Sequence, residues 1–103
     1  AAPRFTPYTV RPELKNKTEI QTLLVKQYPP LLRDAGIGGT VLLWVFIDEK
    51  GEVQRSLVKT SSGFADMDAS ALLVAPQMEF TPALNRDMRV PVWLEIPLIF
   101  MTH

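Results

Sequence analysis

The chain has 103 residues, which fits one domain and leaves little room for two. Apolar residues make up 47%, enough for a packed core, and this excludes wholesale disorder. Eleven basic and eleven acidic side chains cancel without blocks of like charge, so there is no electrostatic footprint for nucleic acid and no strong pull towards an anionic membrane. Cysteine is absent, which removes disulfide frameworks, thiolate metal sites and cysteine nucleophiles together. The longest apolar run, residues 41–47, is far short of the roughly 20 residues a membrane helix needs. No signal peptide is legible. The abrupt opening, Ala1-Ala2-Pro3, predicts a soluble fragment of something longer.

Residues 1–15 read as an extended arm, because Pro3, Pro7 and Pro12 bias their neighbours towards extended backbone. Phe5, Tyr8 and Val10 predict that this arm packs on the domain, which would span residues 16–103. Asn16-Lys17-Thr18-Glu19 has the form of a capping box, with Ile20, Leu23 and Leu24 at helical spacing after it. Pro29-Pro30 ends that helix near Tyr28 and opens a second short one, which Gly36 and Gly38-Gly39 stop.

Residues 40–48 predict a strand that is apolar on both faces. Val41, Leu43, Val45 and Ile47 share one face; Leu42, Trp44 and Phe46 share the other. Asp48-Glu49-Lys50-Gly51 reads as a hairpin turn. Residues 52–60 return as a second strand whose mixed parity calls for a bulge. A helix follows from about residue 64 or 65 to 75, with Met67, Ala71 and Val74 on one face, extended by Leu72 and Leu73. Pro76 ends or kinks it. The last strand has the plainest pattern: Val90, Val92, Leu94, Ile96, Leu98 and Phe100 alternate with mostly polar or proline positions.

These elements predict an α+β fold: a three-stranded antiparallel sheet of order 2-1-3, with helices packed on one face. The last strand is then an edge. Pro91 and Pro97 share a parity, so odd residues direct their backbone groups outward, and Trp93 and Glu95 offer free N–H and C=O groups between the prolines. An extended peptide could add there as another strand. Equally, the two prolines could serve only to protect the edge from aggregation. Leu42, Trp44 and Phe46, with Trp93 beside them, form an outer-face patch that needs a cover: the 5–10 arm, which is the simplest and the preferred reading, a second copy of the domain, or a partner.

Catalysis finds no convergent groups. The single histidine, His103, reads as a tail; Ser61-Ser62 has no histidine in range; Asp66 and Asp68 suit a helix N-terminus; Asp48 and Glu49 belong to a turn. Neither a metal site nor a cofactor is expected.

Read together, several motifs resemble the C-terminal domain of TonB-type energy transducers. They are Tyr28-Pro29-Pro30, the Ala35-Gly36-Ile37 to Gly39-Thr40-Val41 junction, and the Asp-x-x-Gly turn that closes residues 45–51. Ser61-Ser62-Gly63, Phe80-Thr81-Pro82-Ala83 and the Val90-Pro91-Val92-Trp93 to Ile96-Pro97-Leu98-Ile99-Phe100 stretch complete the set. The resemblance covers residues 28–100. It implies a non-catalytic periplasmic domain, anchored to the inner membrane in the full-length protein. It implies as partners a TonB-dependent outer-membrane transporter, bound through its TonB box, and an inner-membrane proton-driven motor complex reached through the missing N-terminal part. The box would pair with the last strand at Val90, Val92, Trp93, Leu94, Glu95 and Ile96, close to Gln27 and Tyr28. A homodimer through the same edge, in a structural or sensory cell-envelope module, is the alternative. The chain departs from the family pattern at Pro76, Met78 and Glu79, and in the apolar Leu42, Trp44 and Phe46.

Overall fold

The computed structural model describes residues 3–102; Ala1, Ala2 and His103 lie outside them. In chain order come α1 (Lys17–Lys26), α2 (Pro30–Asp34), β1 (Gly39–Ile47), β2 (Val53–Thr60) and α3 (Ala65–Val74). A 3-10 turn (Ala75–Gln77), β3 (Ala83–Asn85), β4 (Met88–Val90) and β5 (Val92–Phe100) follow. The main sheet is three-stranded and antiparallel, in the order β2-β1-β5, and β3 and β4 form a separate hairpin. This is the expected 2-1-3 order. The long last strand, however, is interrupted: Pro91 separates β4 from β5, and Val90 pairs with Ala83 rather than with β1. The even-numbered alternation runs straight through this break, so periodicity alone does not register it.

β1 carries the core. Val41, Leu43, Val45 and Ile47 are fully buried against Met67, Ala71 and Val74 of α3, while Leu42, Trp44 and Phe46 are half-buried on the opposite face. Val92, Leu94, Leu98 and Phe100 of β5 join the same core. Leu72 and Leu73, assigned above to the inner face of α3, point to solvent instead. The parity conflict in β2 is resolved by two bulges. Between paired residues, Gln54 and Lys59 are the extra ones, so Val53, Ser56 and Val58 meet the inner side of β1 while Leu57 sits opposite Trp44.

The helix ends have separate physical causes. α2 starts with Pro30 at its first position and closes in a Schellman arrangement: Ile37 N–H donates to the Leu32 carbonyl (2.8 Å), Gly36 N–H to that of Arg33 (3.0 Å), and Gly36 takes φ 72°. At α1, the expected capping box does not form. Asn16 Nδ2 does reach Glu19 Oε2 (2.8 Å), but Asn16 makes no side-chain cap bond to its own helix. Its amide instead clamps a distant segment: Nδ2 donates to the Gln77 carbonyl (2.8 Å) and Oδ1 accepts from Glu79 N–H (2.9 Å). The start of α1 is thereby tied to the exit of α3.

The arm also has a defined partner. Val10 bridges Leu84 and Leu14 bridges Phe80, both antiparallel. Backbone bonds run from Lys15 to Glu79 (2.7 Å), from Thr81 to Glu13 (2.8 Å) and from Thr9 to Leu84 (2.7 Å). The arm therefore packs on the domain as expected, but through backbone bonds along residues 79–84 rather than over the outer sheet face, where Phe5 meets Trp44.

Gly51 closes the β1–β2 turn at φ 87° with its carbonyl accepting from Phe80 N–H (2.9 Å). A Cβ there would lie 1.8 Å from the Phe80 carbonyl oxygen. Both the left-handed backbone and the close approach require glycine. Gly51→Ala is expected to destabilise the domain by more than about 3 kcal/mol, read as a lowered urea midpoint. A loss under ~1 kcal/mol would show that the turn and residues 79–81 separate at little cost.

Candidate functional site

The site follows from how β5 uses its backbone. Pro97 lies opposite Leu42 and has no N–H, so this is a non-hydrogen-bonded pair. Alternation makes Trp93 opposite Phe46, Glu95 opposite Trp44 and Ile99 opposite Thr40 pairs of the same kind. The hairpin agrees: Asp48 N–H donates to the Glu52 carbonyl (2.9 Å), so even residues of β1 direct their backbone towards β2 and odd ones towards β5. Even residues of β5 therefore bond β1, and the N–H and C=O groups of Trp93, Glu95 and Ile99 face away from the sheet. Among the described residues no strand pairs on that side of β5. The arm, held along 79–84, does not occupy it.

Beside this edge lies a groove of about 780 Å³. Its floor is Leu94, Ile96, Leu98 and Phe100 from β5; its far wall is one face of α1; its end is closed by Pro12 and Leu14 of the arm with Met78 and Phe80. Asn16 fixes where α1 begins, and Tyr28 fixes where it ends. The Tyr28 hydroxyl donates to the Ile37 carbonyl (2.5 Å), and its ring meets Phe100 edge-on with centroids 5.3 Å apart. At the rim, Val25, Ile99 and Met101 are exposed.

The outer face flanks the same edge. Trp93 packs on Phe46 (centroids 5.2 Å) under the Arg55 guanidinium, and Trp44 lies between Phe5 (5.4 Å) and the Lys59 ammonium (5.0 Å). Lys59, the bulge residue, then crosses Trp44 to Glu95, Nζ to Oε2 2.6 Å. Phe5 and Lys59 thus cover Trp44, and Trp93, with Arg55 over it, covers Phe46.

The structure gathers most of the residues singled out from sequence, in unequal roles. Trp93 and Glu95 present free backbone groups. Leu94 and Ile96 line the groove with their side chains, while Val92 is buried and serves the core. Val90 lies in the β3–β4 hairpin, off this edge, because its backbone is engaged with Ala83. Tyr28 is a buried packing residue at the groove end, and exposed Gln27 caps α1 outside the groove lining. Sequence reasoning missed Ile99 and Met101 at the C-terminal half of the edge, and it missed α1 as a wall. The signal was present in Lys17, Gln21 and Val25, a second stripe at i, i+4, i+8 beside the apolar one.

The acidic residues set aside as structural have local partners. Asp48 accepts from the Lys50 and Glu52 N–H groups (2.9 Å each) and from Gln54 Nε2 (2.7 Å). The Glu52 N–H contributes most to holding its pKa below the ordinary aspartate value, with the Gln54 amide and Lys50 adding to it against some burial. Burial works against the Asp68 carboxylate, but the Ser61 hydroxyl and the Ser62 N–H and hydroxyl outweigh it, and its pKa is also lowered.

The comparisons agree with this architecture. The family described as Gram-negative bacterial TonB protein C-terminal matches residues 25–102, and the chain belongs to it. Protein TonB of Vibrio cholerae is 31% identical over 93 residues, 89% of this chain and 38% of that protein. Protein tonB2 of Pseudomonas aeruginosa is 32% identical over 74 residues, 72% of this chain and 27% of that protein. The chain thus spans well under half the length of these relatives. In fold it is similar to the NMR structure of Helicobacter pylori TonB-CTD, with TM-score 0.54, 24% identity, and coverage of 84% of this chain and 80% of that one.

Both lowered aspartate pKa values carry a pH dependence of fixed sign. Their contribution to stability is full above the unfolded value of about 3.9 and is lost as pH falls through the lower folded values. Urea midpoints are therefore expected to be level above about pH 5 and to fall below about pH 4. In Asp48→Asn and Asp68→Asn that acid-side fall is smaller than in the parent chain. An equal fall in both variants would contradict these assignments.

Proposed function

We propose that this chain is the peptide-binding domain of a TonB-type energy transducer. The observation that supports this most is an unpaired β5 edge running beside an apolar groove. An extended segment can satisfy the outward N–H and C=O groups of Trp93, Glu95 and Ile99, and place alternate side chains in the groove. In this reading the segment is the TonB box of an outer-membrane transporter. The domain is periplasmic and non-catalytic, and the full-length protein is anchored in the inner membrane. There it receives work derived from the proton-motive force through a motor complex. Residues 1–15 form the arm and 16–103 the domain proper. A strand pulled along its axis loads all its backbone bonds together, whereas unzipping from one end breaks them in turn. Such pairing can carry tension and still release.

Backbone recognition separates two substitutions at one position. Glu95→Pro removes an outward N–H without touching the bonds to β1, because the Trp44 pair is non-hydrogen-bonded. It is expected to weaken binding of a TonB-box peptide more than about tenfold. Glu95→Ala keeps the N–H and loses an exposed ion pair worth at most about 1 kcal/mol to stability, so its affinity stays within roughly threefold of the parent. Unchanged binding by Glu95→Pro would overturn strand addition at this edge.

A further inference from the structure

We infer that α1 is the specificity-determining wall of the groove, reading the alternate side chains of an extended peptide added to β5. The inference rests on the proposed peptide-binding function. It deepens that reading by naming what the bound peptide must carry: apolar side chains at every second position, on the side facing α1.

The argument begins with helical spacing. Lys17, Ile20, Gln21, Leu24, Val25 and Tyr28 line the groove, and these positions (i, i+3, i+4, i+7, i+8, i+11) form one continuous stripe. The stripe is split lengthwise. Ile20 and Tyr28 are buried in the core, with Leu24 packed against it, and they set the position of the helix. Lys17, Gln21 and Val25 remain exposed along the mouth. Val25 is 65% exposed, and at the same end of the groove Ile99 and Met101 are 50% and 63% exposed. Three large apolar side chains converging on one mouth beside free backbone groups call for an apolar occupant.

Geometry selects what that occupant is. The even side chains of β5 project to the helix side of the sheet. In an added strand, side chains on that same side lie next to Leu94, Ile96 and Leu98 and beneath α1. Side chains of opposite parity fall on the outer face beside Trp93 and Glu95. The missing N–H of Pro97 leaves Glu95 and Ile99 as the donors on either side of it, so pairing extends past the proline towards Val25. An extended chain can reach both the edge groups and the groove floor between β5 and α1. The match to the family begins at residue 25, within α1, so Lys17, Ile20, Gln21 and Leu24 precede it while Val25 and Tyr28 fall inside it.

The test is a titration of the chain with a TonB-box peptide and a series of that peptide with alanine at each position in turn. The parent is expected to show an alternating profile, with losses of roughly tenfold at every second position. Val25→Asp, at an exposed site that leaves the core intact, is expected to bind the unmodified peptide about tenfold more weakly and to flatten the profile at the position nearest residue 25. Val25→Ala should give a smaller loss in the same place. Saturable binding with an unchanged profile in both variants would overturn the wall while leaving strand addition standing. Absence of saturable binding to the parent would overturn both.

Discussion

Strand β5 commits only half of its backbone hydrogen-bonding groups. Its even residues bond β1, and its odd residues have no partner within the described fold. The remaining architecture depends on that division. β1 must be central and apolar on both sides, because it alone joins β5 to β2. Pro97 is tolerated within β5 only because it sits at an outward position. The groove exists because α1 packs alongside the edge, leaving space between helix and strand that no side chain of the described residues fills.

Keeping such an edge open carries a hazard, since the nearest extended segment is the chain's own arm. The fold places that arm elsewhere. Thr9, Val10, Glu13 and Lys15 are bonded along residues 79–84, and Asn16 clamps the next residues to 77–79. The same contacts set the start of α1 and close the groove at Pro12 and Leu14. Fixing the arm and building the peptide site are therefore one structural task. On the outer face, Lys59 and Arg55 over Trp44 and Trp93 shield the aromatic patch without covering the edge.

What the sequence reveals follows the range of the interactions. The hairpin, the 2-1-3 order and the open edge are legible because period, turn residues and prolines are local signals. The two β2 bulges are not locatable from sequence, because Gln54 and Lys59 are ordinary strand residues that become extra only against β1. The β3–β4 hairpin was missed for a chemical reason. Its turn residues, Arg86 and Asp87, take φ 51° and 70° without the glycine that usually marks such a turn. Asn16 looks like a cap because its real partners, Gln77 and Glu79, are over sixty residues away. Of the site, Trp93 and Glu95 follow from parity, and Leu94 and Ile96 from the family resemblance. Val25 and Ile99 follow from neither, since an exposed apolar residue means nothing until the groove places it beside another.

The most direct test is residue-by-residue amide hydrogen exchange along β5, with and without a TonB-box peptide. The account predicts alternation in the free domain: Trp93, Glu95 and Ile99 exchange fast, while Val92, Leu94, Ile96, Leu98 and Phe100 are protected. With peptide, the fast amides become protected and the alternation disappears. Uniform protection along β5 before peptide is added, or an alternation that peptide leaves untouched, would contradict an edge held open for a partner strand.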